Sequence, residues 1–491
     1  MIAVSHNEIR GSYLPYLSDE SKLSGDAEML YFPEHPEELS AILCELFLTD
    51  KTATMQGSRT GVAGGCVPFG GTVVNMEKLR SIEINAKTES GLLLKIGPGA
   101  SLAEMTAYLK KNGADYFLPV NPTEDTASIG GMIATNASGS RSFSYGPIRK
   151  YIRGLKVYIP AFGELSIRRS EMNIKKGVIR IGSRRSHAFE SWDFPDIKNN
   201  AGPYYKTDMD LIDLFIGSEG IFGTLLEADL LCVRRPRHEL ILMAFFHNRH
   251  DALNFLETLR RSPRMPSEIE YFDENSLSLA REDLDKLPAY PFEGAHAIMT
   301  VFLYEKETEI ENIYEMLEKS LSASGGSIDD TWTPGNETES TRFRIFRHIV
   351  PEAVNRRIAA IKTDEPAVHK VASDTAVPVN LLVPALNEYD KALSESGLEH
   401  CIFGHIGDAH LHINMLPRNI KELETAKDTL RKIMQTAKEM GGTISGEHGI
   451  GKIKKEYLAS FYGSEIIARM RAIKHFFDPH ALLNPGDVFD R

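Results

Sequence analysis

The stretch MQGSRTGVAGGCVPFGGTVVNM, Met55 to Met76, decides how the rest of the chain is read. Upstream, Leu39, Ile42, Leu43 and Leu46 fall at helical spacing within Pro36 to Leu48, and Thr52 to Met55 reads as a short strand. The local order is helix, strand, glycine loop, strand. Gly57, Gly61, Gly64 and Gly65 carry no Cβ to hold a ligand off the backbone. The N–H groups from Ser58 through Arg59 and Thr60 to Gly65 can therefore turn inward on an anion, a diphosphate being the natural guest. The β-branched run Thr72 to Met76 follows, whereas dinucleotide fingerprints and Walker loops feed a helix N-terminus. The plain alternative is a tight turn between two strands.

The 491 residues hold 42% hydrophobic and 25% charged side chains, which speaks against a disordered chain and leaves room for two or more domains. A formal net charge of −12 argues against general affinity for nucleic acid or anionic lipid, even with a local basic patch from Arg168 to Arg185. Cys44, Cys66, Cys232 and Cys401 are widely spaced, include no C-x-x-C pair, and read as buried free thiols. The amino terminus, MIAVSHNEIRGSYL, lacks a basic region followed by a long apolar run. No apolar segment approaches the roughly 20 residues of a membrane-spanning helix. The expectation is a cytoplasmic chain, touching a membrane from the surface at most.

Along the chain, Ser81 to Gly97 alternates like strand, and Ser101 to Glu104 is a capping box opening a helix that Gly113 can close. Pro119 to Gly146, PVNPTEDTASIGGMIATNASGSRSFSYG, packs glycines and hydroxyls into a stretch too polar for core, and reads as the wall of a cofactor site. Gly154 to Pro160 and Gly163 to Arg168 suggest a hairpin. Gly217 to Thr224 is a third glycine loop, with the strand Leu225 to Val233 after it and a plausible domain boundary at Arg234 to Pro236. From His238 onward strands alternate with helices, the pattern of an antiparallel sheet backed by helices. Glu422 to Met440 and Ser464 to Phe477 read as helices.

Two later segments carry chemistry: FGHIGDAHLHIN, Phe403 to Asn414, and SGEHGIGK, Ser445 to Lys452. In a strand, His410, His412 and Asn414 would share one face, with His405 arriving from the preceding loop. Two or three imidazoles can converge there, and Glu447 could complete a two-histidine, one-carboxylate metal set that leaves positions open for substrate. His448 could then serve as a base; the alternative is a glycine-rich turn whose histidine is a cap. In TRFRIFRHIVPEAVN, Thr341 to Asn355, Arg342, Arg344, Arg347 and His348 read as a solvated helix face, from which one inward arginine would clamp a carboxylate.

Taken together, the three glycine loops with Gly404 to His412 and Gly446 to Lys452 resemble the FAD-linked oxidase group with the vanillyl-alcohol oxidase (PCMH) type of flavin domain. The match is to its D-lactate, glycolate and D-2-hydroxyglutarate dehydrogenase branch. That resemblance implies an α+β fold: a two-subdomain FAD-binding domain, then an antiparallel sheet with helices as substrate-binding cap. The expected domains are a lead-in at 1–31, the FAD-binding domain at 32–236, the cap at 237–440, and a segment at 441–491 that returns to the flavin. It further implies FAD contacts from Gly57 to Gly65, from Pro119, Thr123, Gly130, Gly131, Asn136, Gly139, Tyr145 and Gly146, from Glu219, Gly220, Gly223 and Thr224, and from Asn484 beside the isoalloxazine. His405, His412 and Glu447 fall on metal-ligand positions, His448 on the catalytic base, and Arg347 on the arginine that holds a substrate carboxylate.

The chain departs from the pattern in places. His410 stands where Asn is common, and the lysine of hydroxyglutarate enzymes is replaced by Ala372, with Lys370 displaced. The first glycine loop has no histidine for covalent flavin attachment, so noncovalent FAD is expected. The resulting reading is an FAD-dependent dehydrogenase of a 2-hydroxy acid, in the D form, with a zinc- or manganese-like divalent ion. It passes electrons to an electron-transfer protein, quinone or cytochrome, and has no nucleic-acid partner. The rivals are a redox-neutral flavoenzyme like alkylglycerone-phosphate synthase and, more distantly, a flavin-free metal hydrolase.

Overall fold

A computed structural model describes residues 1–182, 185–281 and 290–490. Ser183 and Arg184, within the basic patch, residues 282–289, and Arg491 of the carboxyl-terminal segment lie outside the described residues. The chain forms two compact units, one of Met1–Ser138, Gly146–Arg235 and Glu447–Arg491, the other of Gly139–Tyr145 and Pro236–Gly446.

The first unit holds a four-stranded sheet in the order Ile2–Ser5, Met29–Phe32, Thr72–Asn75, Ala53–Gln56. Thr72–Asn75 runs parallel to both of its neighbours, and the register Ala53↔Thr72 to Gln56↔Asn75 leaves the glycine loop as the connection between parallel strands. Pro36 opens the helix Pro36–Leu48, where its missing N–H costs nothing. Leu39, Ile42, Leu43 and Leu46 bury against Ala53, Met55 and Val74, each worth about 1.5–3 kcal/mol of transfer from water. The second sheet of this unit is antiparallel, ordered Ile82–Thr88, Gly91–Ile96, Thr224–Arg234, Ile152–Ile159, Gly163–Arg168. The alternating run from Ser81 to Gly97 forms a hairpin of two strands, with the turn at Glu89 and Ser90 between the paired residues Thr88 and Gly91.

The second unit is built on one antiparallel sheet, ordered Thr331–Trp332, His238–Phe246, His296–Tyr304, Glu268–Phe272, His400–Gly404, His410–Met415, Val371–Ala372, with Thr375–Ala376 also on His410–Met415. The helix Glu337–Asp364 packs Phe343, Phe346, Val350 and Val354 onto Phe245, Phe272 and Trp332. Pro351 sits inside that helix and has no N–H, so the carbonyl of Arg347, four residues back, loses its helical donor. This is the sheet with helices expected of an α+β chain. Among the described residues no helix is long and apolar enough to cross a membrane. Cys232 and Cys401 are buried as expected, but Cys44 is exposed: it lies on the outer face of Pro36–Leu48, opposite the leucine stripe.

Candidate active site

In the first unit, the glycine loop is a cradle of unused donors. Among the described residues, no backbone N–H from Ser58 to Gly65 donates to a protein acceptor, although Ala63 and Gly64 are buried. Such a run satisfies its polar groups only with an anion or water, which fits a diphosphate. A Cβ on Gly57 would come within 2.0 Å of Ser128 Oγ, and Ser128 caps the helix Ile129–Ala134 that carries Gly130 and Gly131. Gly61 faces open space.

Other candidate residues of this unit close on the same loop. Asn484, with φ 44°, accepts from Met55 N at 2.8 Å and donates to the Glu219 carbonyl at 2.9 Å. Glu219, also left-handed at φ 54°, accepts from Ile450 N at 2.8 Å and Gly451 N at 2.7 Å, and burial raises its carboxyl pKa. Gly451 must be glycine, since a Cβ would lie 2.1 Å from the Ala63 carbonyl. Lys452 donates to the Gly65 carbonyl at 3.0 Å and to Asp487 at 2.5 Å. Burial drives the Asp487 carboxyl up to about 8 against the pull of that lysine. Thr224 begins the strand Thr224–Arg234 just after Gly223, while Pro119 is buried and Thr123 exposed in the loop after Tyr116–Phe117.

Glu447 and His448 also belong to the first unit. The Glu447 carboxylate accepts from Ser138 Oγ at 3.1 Å and pairs with Lys198 Nζ at 2.9 Å. Its carbonyl accepts from Asn200, whose side chain also meets that of Asn136 at 3.0 Å. His448 Nε2 lies 3.8 Å from the Glu447 carboxylate.

The second unit gathers the histidines. His410–Met415 is a strand, so His410, His412 and Asn414 do lie on one face, and His405 follows the end of His400–Gly404. Ring centroids are 4.7 Å apart for His410 and His412, 5.6 Å for His405 and His410, and 5.8 Å for His405 and His412. One ring nitrogen from each lies within 4.8 Å of the others. Imidazoles that share an ion with nitrogens about 2 Å from it are spaced in this way. His405 Nδ1 meets Glu270 Oε1 at 2.6 Å, and His410 Nε2 meets Asp374 Oδ1 at 2.9 Å. Asp374 is fixed in turn by Ser445 Oγ at 2.7 Å. A carboxylate on one imidazole nitrogen orients the other toward a cation, so the donor set fits a divalent ion. Gly446 leaves room for this packing: a Cβ there would lie 2.7 Å from the His410 ring.

Arg347 lies in the same unit and points inward from Glu337–Asp364, donating to Ser140 Oγ at 2.8 Å with Glu268 Oε2 at 3.6 Å. Arg141 Nε donates to the other Glu268 oxygen at 2.9 Å, and Ser140 bonds Glu268 as well. Arg344, by contrast, pairs with Glu239 on the exposed side. Gly139 and Tyr145 fall in this unit, whereas Gly130, Gly131, Asn136 and Gly146 fall in the first. Lys370 is exposed and bonded to Asn355.

The sequence pattern does not single out Glu268, Glu270, Arg141, Lys198 or Asp374. The signal for the glutamates was available. Glu268-Ile-Glu-Tyr-Phe272 sets two acids at i and i+2 in a strand that is buried throughout, and buried acids require partners.

Residues 235–488 match the C-terminal domain of FAD linked oxidases, and residues 27–166 match an FAD binding domain. A D-lactate dehydrogenase of Anaerostipes hadrus is 28% identical, over 96% of this chain and 92% of its own length. A glycolate oxidase subunit of Bacillus subtilis is 29% identical over 93% of this chain and 88% of its own. A D-2-hydroxyglutarate dehydrogenase of Xanthomonas citri pv. viticola is 27% identical over 93% and 88%. A solved structure of an alkyldihydroxyacetonephosphate synthase gives a TM-score of 0.63 at 14% identity, over 98% of this chain and 79% of that one, a likeness of fold.

Proposed function

Because this chain belongs to the FAD-linked oxidases, we propose that it is a flavin-dependent dehydrogenase of a small 2-hydroxy acid, in the D form, with a separate protein, quinone or cytochrome as electron acceptor. The observation that carries the reading is one strand, Glu268–Phe272. Its residues Glu268 and Glu270 lie on the same face, roughly 7 Å apart along the strand. The first is bonded into the Arg347 and Arg141 cluster and the second to His405. An anion clamp and an imidazole cluster side by side are what a carboxylate with a neighbouring hydroxyl requires. The names of the three relatives, each a dehydrogenase or oxidase of such an acid, support the same class. The match to an FAD binding domain favours it over a flavin-free hydrolase.

In this reading Arg347 holds the substrate carboxylate and so orients the α-carbon. His405, His412 and Glu447 would hold a divalent ion such as zinc or manganese, with His410 as a further donor. That ion, when bound, lowers the pKa of an attached hydroxyl. His448, which follows Glu447 in the chain, takes the hydroxyl proton, since a neutral imidazole is a competent base near pH 7. Glu270 and Asp374 hold their histidines in a fixed tautomer. Gly57 to Gly65 would cradle the diphosphate of FAD, which would supply the hydride acceptor.

The test is a screen of D- and L-2-hydroxy acids against the yellow holoenzyme with an artificial electron acceptor. Bleaching of the flavin by one D acid is expected. A flavin that no 2-hydroxy acid reduces removes the reading.

A further inference from the structure

We propose that Glu268 is a charge-selecting residue that restricts the substrate to monocarboxylic 2-hydroxy acids, with Arg141 as a second carboxylate anchor; this rests on the functional reading above. Two guanidiniums, Arg347 and Arg141, converge on the single carboxylate of Glu268, which is itself buried at 4% exposure. The three groups sum to one positive charge, matched by one substrate carboxylate.

A second substrate carboxylate finds no such match. Beside the same guanidiniums it would meet the carboxylate of Glu268, with Glu270 two residues further along the same strand face. Among the described residues, Arg260 of the same unit is committed to the carbonyls of Ile406 and Gly407, and Lys370 is exposed and bonded to Asn355. A like charge inside a partly desolvated pocket is rejected far more strongly than in water, which makes one buried carboxylate an effective discriminator. Ser140, bonded to both Glu268 and Arg347, keeps the clamp in register whichever charge arrives.

The experiment measures binding apart from turnover. Oxidised holoenzyme is titrated with 2-oxobutanoate and with 2-oxoglutarate, ligands of the product class that it cannot oxidise, followed by calorimetry and flavin absorbance. Wild type should bind the monocarboxylate at least about tenfold more tightly. Glu268→Gln, which keeps the shape and removes the charge, should raise dicarboxylate affinity about tenfold or more and change monocarboxylate affinity by less than about threefold. Arg141→Met should weaken both ligands. Wild type that binds the dicarboxylate as tightly as the monocarboxylate overturns the proposal without recourse to any variant, and so does a folded Glu268→Gln protein with an unchanged ratio. If hydroxy acids still bleach the flavin in those cases, only the charge rule fails. If no hydroxy acid bleaches it and neither oxo acid binds, the reaction and the rule fall together.

Discussion

His405 Nδ1 lies 2.6 Å from Glu270 Oε1, and both side chains are buried. An isolated buried carboxylate would be costly, and a histidine with no fixed tautomer would be a poor ligand. Each resolves the other's difficulty. The imidazole gives the Glu270 carboxyl a hydrogen-bond partner in the interior, and His405 presents its second nitrogen in a set direction because Nδ1 is engaged. Asp374 does the same for His410 through Nε2.

Glu270→Gln keeps the shape of the acceptor and removes its charge. Loss of such a partner commonly costs 10–100-fold in metal affinity. The variant should hold FAD as wild type does yet lose its divalent ion to a competing chelator at 10–100-fold lower concentration, read by metal analysis after dialysis. Equal metal retention would make the pair a packing feature of the sheet.

His448→Asn leaves a polar side chain that cannot accept a proton at neutral pH. If His448 is the base, flavin reduction at saturating substrate should slow by about 10²–10⁴-fold, with metal and FAD content unchanged. Rapid-mixing absorbance across pH is the measurement. Wild-type rates with an unaltered pH profile would shift the role to His410.

Lys452→Met strips the cation from a buried pair and leaves Asp487 facing the interior. Where the acid is ionised, breaking a pair of this kind costs about 3–5 kcal/mol. Burial already holds the Asp487 carboxyl up at about 8, above its ordinary value, so the folded state keeps a proton that the unfolded chain has lost, and stability falls as pH rises toward 8. The variant should therefore be penalised more at pH 9 than at pH 6 in chemical denaturation, and Asp487→Asn in the same background should flatten the difference.

His296 supplies a contrasting titration. Burial, with Arg249 nearby, pushes its imidazole down to about 4, while Nδ1 meets the Tyr271 hydroxyl at 2.9 Å. Between pH 6.5 and 4 the unfolded chain binds a proton that the folded one refuses, so stability present above 6.5 is lost progressively on acidification. Melting curves of His296→Gln should decline less steeply across that window than those of wild type. Parallel curves would mean that other groups govern the acid limb.

What the sequence determined by itself is the part carried by local rules. Leucines at 3.6-residue spacing specify the helix Pro36–Leu48, and the polar alternation of His410, His412 and Asn414 specifies a strand face, because side-chain period follows from backbone geometry alone. The run of glycines marked the loop of unused N–H donors for the same reason: lack of a Cβ is a property of the residue, not of its neighbours. The tertiary structure alone decided which distant groups neutralise one another. Ser140 and Arg141 meet Glu268 and Arg347 across more than a hundred residues of chain, and Asp374 reaches His410 only because Thr375–Ala376 pairs with His410–Met415. Buried charge must find a partner, but no periodicity says which one. That choice is made by the order of strands in a sheet, where sequence neighbours are separated and remote segments are brought to hydrogen-bonding distance.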